Sequence, residues 1–252
     1  MPAMPPEQND LFDFDPPQKP SQPDEAAQPA GSAAEALNED RPSARKTRQS
    51  RKSTPAEVQP AADGARWAQL AQSLPAQLRM GASTWSYPGW EGLVWEGAYD
   101  ASVLAKKGLT AYHQHPLLRS ICVDRTFWRP LTASQYAAFA AQVDADFRFV
   151  VKCPAGVTDA QVRSEDGKAR ESNPAFLDPR LAVEHFVQPT LEGLGDKLGV
   201  LVFQLSPLPW AWLSQQNLLL QRLGLLLAAV QDALKEHPQV IVAVEVRDPE
   251  LL

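Results

Sequence analysis

Gly199-Val-Leu-Val-Phe-Gln204, then a leucine-rich stretch over 215–236, then Val240-Ile-Val-Ala-Val-Glu-Val246 is the passage that decides the fold. Both short runs are rich in β-branched residues and apolar until a polar end, the pattern of strands buried on both faces. Between them the leucines recur on a broad apolar face. Ser214 stands where an N-cap is wanted and Pro238 follows the stretch, so 215–236 is expected to be a helix. A strand, helix and strand of these lengths make a right-handed crossover between parallel neighbours.

Upstream the same pattern repeats. Candidate strands fall at 79–84, 119–124 and 147–152. Helices are expected over 101–114 behind Asp100 and over 133–143 behind Thr132, with a short one at 66–74. A further helix starts with Asp178 as N-cap and Pro179 at its first position, and Pro189 should kink or end it. The order is β-α-β-α-β-α-β-α-β, an α/β chain with a parallel sheet.

Composition divides the chain. Residues 1–65 hold eleven of the 23 prolines, and their only aromatics are Phe12 and Phe14; all seven tryptophans and four tyrosines lie in 66–252. So little apolar surface cannot offset an ordering cost of roughly 1–2 kcal/mol per residue. Residues 1–65 are therefore expected to be a disordered tail and 66–252 one domain. The net charge of −6 argues against a surface devoted to nucleic acid. Arg41, Arg45, Lys46, Arg48, Arg51 and Lys52 are the local exception, read either as a solvated linker or as a weak contact to nucleic acid. Two cysteines make no disulfide framework, and the N-terminus has no charged end followed by an apolar stretch. Leu218 to Val230, interrupted by Gln221 and Arg222, falls short of the ~20 residues that span a bilayer. No membrane contact and a cytoplasmic location are expected.

The expected strands end in Asp124, Lys152, Gln204 and Glu245. In parallel α/β folds, ligands bind at those ends. Alternation puts Cys122 below Asp124 and Arg247 on the side of Glu245. Two readings stand together: an ion network that satisfies itself, or a set that faces a ligand. Lys152 suits an anionic group or a salt bridge to Asp124 or Glu245. Arg247 suits phosphate or carboxylate, or braces Glu245. Trp85, Tyr87 and Trp90 follow the first strand and are expected at the rim, stacking on a ligand or packing the first loop. Asp124 and Glu245 are the acids for a shared site, but His113, His115, His185 and His237 supply no metal-ligand spacing, so no metal and no cofactor is expected. Cys122 and Cys153, on neighbouring strands, read as buried inert thiols.

Five motifs in order carry a resemblance. Gly81-Ala-Ser-Thr-Trp85-Ser-Tyr87-Pro-Gly-Trp90, Arg125-Thr-Phe-Trp128, Val151-Lys-Cys-Pro154, Lys197-Leu-Gly-Val-Leu-Val-Phe203-Gln204-Leu-Ser-Pro207 and Val244-Glu-Val-Arg-Asp-Pro249 span 79–252. Together they resemble the YecE-like family, the domain of unknown function 72. The resemblance implies a TIM (β/α) barrel and no assigned reaction. This chain departs from the family at Cys122, where a glutamate is frequent, and at Asp159, where a histidine is. Family members continue for three more strands. The resemblance therefore implies a partial barrel, its C-terminal strands missing and both sheet edges open.

Three functional readings follow. The first is a barrel segment binding a small anionic or phosphorylated ligand through Asp124, Lys152, Gln204, Glu245 and Arg247, with Trp85 and Tyr87 beside it. The second takes Gln8-Asn-Asp-Leu11-Phe12, which resembles the peptide that docks bacterial proteins on the replication sliding clamp; Leu11 and Phe12 would fill a groove and Gln8 would bond at its rim. The third is a nonfunctional truncated gene product. Whether the protein is an enzyme stays open.

Overall fold

The computed structural model describes residues 57–163 and 169–251. Gln8, Leu11, Phe12 and the basic stretch 41–52 lie outside the described residues. Residues 57–65, assigned above to the tail, belong to the fold. Val58 is buried, and Ala62–Trp67 winds as a 3₁₀ helix into α1 (Ala68–Ser73). The reason lies in a later loop. Pro60 bridges Trp95, and the amides of Ala61 and Glu96 donate across to Val94 and Gln59 at 2.9 and 3.0 Å. Trp95 itself is fully buried, its Nε1 donating to the Tyr87 carbonyl at 3.0 Å.

Beyond this segment the chain runs β1 (Met80–Ala82), α2 (Ala101–Tyr112), β2 (Leu118–Val123), α3 (Ala133–Ala140) and β3 (Arg148–Lys152). Then come α4 (Ala155–Thr158), β4 (Gln161–Arg163), β5 (Ala169–Ser172) and α5 (Pro179–Ala182). A π-helical turn (Val183–Val187) leads into α6 (Gln188–Leu194), followed by β6 (Leu198–Gln204), α7 (Trp210–Leu213), α8 (Gln216–Ala233) and β7 (Ile241–Glu245). The five expected strands are all present. They form one sheet in the order β1-β2-β3-β6-β7, every neighbouring pair parallel, with β1 and β7 outermost.

Register makes the two faces of this sheet different. Val123, Val151 and Leu201 lie in one row and are at most 1% exposed. Helices cover that face: Phe186 of the π turn packs edge-on against Phe203 of β6 at 5.7 Å. Each such fully buried side chain contributes about 1.5–3 kcal/mol. The alternate row, Cys122, Val150, Val200 and Ile241, is half-buried to exposed. Its continuation upward carries Lys152, Gln204 and Glu245, because residues two apart on a strand share a face.

Several local expectations change. Asp100 takes the N-cap position of α2 but its side chain makes no cap bond, whereas Thr132 forms a full capping box with Gln135. Asp178 accepts from the Leu181 amide, as a cap should. Pro189 does not end its helix. The preceding π turn widens the backbone where the proline ring would meet the carbonyl four residues earlier, and the helix goes on to Leu194. Ser214 is not the cap of the leucine-rich helix; it closes α7, and Gln215 precedes α8. The antiparallel pair β4–β5 was not expected at all. Among the described residues no helix is long and apolar enough to cross a membrane.

At the end of α2, burial holds the His113 imidazole below the usual histidine range, Asp144 opposing and Lys197 reinforcing this; burial does the same to His115. With a depressed folded pKa, the unfolded chain takes up the proton first as pH falls. Stability is therefore expected to drop as pH falls through the normal histidine value. Urea unfolding at a series of pH values should show the loss between about pH 7 and pH 5, and His113→Gln should flatten it. An unchanged slope in the variant would rule His113 out as the source.

Candidate functional site

Three of the sequence-predicted groups meet at the C-terminal ends of neighbouring strands. Lys152 Nζ lies 3.1 Å from Asp124 Oδ1 and donates to Gln204 Oε1 at 2.9 Å. An ammonium has three donors, and the bond to Gln204 uses one. Below Asp124, the Cys122 Sγ donates to the same Oδ1 at 3.1 Å. Burial first, and then the bond and charge of Asp124, push the Cys122 thiol up to about 12, so it stays a protonated donor. Cys153 is fully buried and its thiol is pushed up by burial as well; both thiols are free. Thr126 fixes this end of the sheet, its Oγ1 lying 2.6 Å from the Val123 carbonyl and 2.7 Å from that of Lys152.

Arg247 and Glu245 form a second pair, with Arg247 Nε and Nη2 both 3.1 Å from Glu245 Oε1. Just beyond, the Asp248 carboxylate is buried and accepts from the Leu208 amide through both oxygens, at 3.3 and 3.1 Å. Together with the Leu205 amide on the Glu245 carbonyl at 2.9 Å, this fastens the loop after β6 to the end of β7. That loop carries Ser206 and Pro207.

These residues surround a cavity of about 440 Å³, within the range of small-molecule sites. Asp124, Lys152, Gln204, Ser206 and Arg247 line it. So do Arg163, Phe127, Trp128 and Pro207, which, like Ser206, sequence reasoning did not place there. Arg163 stands on β4, the unexpected hairpin, and pairs through Nε with Asp159 Oδ2 at 2.6 Å. Asp159 is 2% exposed and also accepts from the Gln161 amide at 3.0 Å. Trp128 ends the 3₁₀ turn Asp124–Phe127 and is 74% exposed. It lies inside a motif quoted above, and its position just past a strand end was the available signal.

Trp85 is not at the rim. It is buried against Phe139, edge to face at 5.1 Å, with the Arg125 guanidinium over its ring and its Nε1 donating to the Ala105 carbonyl at 3.2 Å. Tyr87 is exposed, stacked edge-on with Trp90 at 5.7 Å, and is not among the cavity-lining residues. Glu245 is not among the cavity-lining residues and pairs with Arg247, which is. Among the described residues no three His, Cys, Asp or Glu side chains gather as a metal site would require.

No curated protein matches this sequence. A crystal structure of a DUF72 family protein from Enterococcus faecalis is similar at 19% identity and a TM-score of 0.33, over 56% of this chain and 48% of that one. The present chain thus matches about half the length of that protein. The family described as protein of unknown function DUF72 matches residues 79–252, the stretch over which the five motifs run. With well over half of its length matched, the chain belongs to the DUF72 family.

Proposed function

We propose that this protein binds a small anionic, phosphorylated ligand at the C-terminal ends of its strands. One observation carries the reading. Three cations, Lys152, Arg163 and Arg247, line one cavity, while two of their three partner acids, Asp159 and Glu245, do not. The acids hold the cationic groups in place from outside, and the cavity presents positive charge with Gln204 and Ser206 as further polar partners. The self-satisfied ion network and the ligand-facing set are thus one arrangement.

The strand order supports a further reading of the architecture as an arc of a (β/α) barrel. Neighbours follow chain order without reversal. Right-handed crossovers taken always in one direction put every helix on the same face, as in a barrel and unlike a doubly wound sheet. On that reading, the half-exposed row of Cys122, Val150 and Val200 faces the barrel interior, and the cavity sits at the C-terminal ends of its strands. The domain organisation we favour is one such α/β domain behind an N-terminal linker.

Isothermal titration of the full chain with inorganic phosphate tests the site. Lys152→Met keeps most of the unbranched side chain and removes the charge. It is expected to weaken phosphate binding at least tenfold, the order of one charge-assisted hydrogen bond. Equal affinity in parent and variant, or no binding by the folded parent, would overturn the proposal.

A further inference from the structure

The cavity is more particular than a cationic pocket. Asp124 lines it beside Lys152, so a bare anion at the ammonium would meet a like charge. Asp124 Oδ1 is taken by Lys152 and Cys122, and Oδ2 has no partner among the described residues. A carboxylate oxygen in that position accepts from hydroxyl groups. The ligand that satisfies both neighbours carries an anionic group and, next to it, hydroxyl donors.

Trp128 adds a third requirement. Tryptophan is highly buried on average, yet this one is 74% exposed while lining the cavity. Phe127, itself buried, meets it at 90° with ring centroids 5.0 Å apart. That contact steadies the indole and leaves most of it open. The backbone holds it too, the Trp128 amide donating to the Arg125 carbonyl at 3.1 Å. Asp124 and Trp128 are four residues apart along one 3₁₀ turn, about 8 Å of rise. That leaves room for a sugar between an anionic group at Lys152 and a flat ring on the indole. Exposure alone does not make such a site: Trp210 is 73% exposed and is not among the lining residues.

Building on the anion-site reading, we infer that the ligand is a sugar phosphate bearing a flat aromatic ring, a nucleoside 5′-monophosphate by class. Its phosphate rests on Lys152 and Arg247, its sugar hydroxyls on Asp124, and its base on Trp128. Arg247 Nη1, which has no partner among the described residues, is the second donor for the phosphate.

Calorimetric titration of the full chain with inorganic phosphate, ribose 5-phosphate and the common nucleoside 5′-monophosphates separates the levels of this reading. At least one nucleotide is expected to bind about tenfold or more tighter than ribose 5-phosphate, the order of one base–aromatic stack. Trp128→Ala should abolish that advantage and leave ribose 5-phosphate binding unchanged, while Trp210→Ala should leave both unchanged. Asp124→Asn should weaken ribose 5-phosphate more than inorganic phosphate. If phosphate and ribose 5-phosphate bind but nucleotides bind no tighter, or if Trp128→Ala has no effect, the nucleotide assignment is overturned while the anion site stands. If inorganic phosphate does not bind, both fall.

Discussion

Gly193→Ala is expected to destabilise the protein by about 3 kcal/mol, lowering the thermal midpoint by roughly 6–12 °C. The direction is informative because helix propensity argues the other way. Alanine inside a helix is favoured over glycine by about 1 kcal/mol. At Gly193, on α6, an added Cβ would lie 2.4 Å from the Ala133 carbonyl oxygen, 2.4 Å from Tyr136 Cβ and 3.0 Å from the Ala137 amide nitrogen. Two of these are backbone atoms of α3, a helix anchored by its capping box, and the third belongs to a tyrosine only 1% exposed. None is the free end of a flexible side chain, so the helices must separate. Gly224 of α8 is the control: nothing lies within 4 Å of its Cβ position, and Gly224→Ala should stabilise by up to about 1 kcal/mol. Thermal unfolding followed by circular dichroism reads both. A Gly193→Ala midpoint at or above that of the parent would refute the close-packing argument.

The contrast between those two glycines shows what a sequence carries and what it withholds. Both sit beside leucines in helical stretches, and the packing tells them apart. The sheet was legible because its strands are nearly continuous apolar runs rich in β-branched residues: 199–204 was expected and Leu198–Gln204 is found, 240–246 was expected and Ile241–Glu245 is found. Position at a strand end likewise brought Asp124, Lys152 and Gln204 together. The hairpin β4–β5 was illegible because no apolar face sets its register. Polar side chains fix its base instead, Asn173 donating to the carbonyls of Gly156 and Asp159 at 2.9 and 2.7 Å. With the hairpin went Arg163. Trp85 and Trp128 each follow a strand, and sequence position cannot say that one turns into the core against Phe139 while the other stays in solvent. The start of the fold was displaced for a related reason: residues 57–65 are poor in apolar side chains and are held by backbone bonds to the Trp95 loop.

Asp159→Asn is expected to cost about 2 kcal/mol of stability and to weaken phosphate binding about tenfold. Asp159 caps α4, its amide donating to the Ala155 carbonyl at 2.8 Å, and it turns the chain into β4. The substitution keeps its shape and an acceptor for the Gln161 amide. It removes the charge paired with Arg163 and sets an amide N–H₂ or a neutral oxygen against the guanidinium. Breaking a buried pair by neutralising one partner costs about 3–5 kcal/mol when both ends are buried. Arg163 is about one-third exposed, and solvent screening brings the cost down. The functional loss has a different origin. Arg163 lines the cavity and Asp159 helps to fix its direction, so in the variant the cation is still present but less firmly aimed. Arg163→Lys separates the two effects, since it keeps the charge and forfeits the planar geometry. If orientation is what matters, both variants lose phosphate affinity, and only Asp159→Asn loses much stability. If Asp159→Asn binds phosphate as the parent does, the charge of Asp159 is not what aims the third cation, and the orientation argument fails.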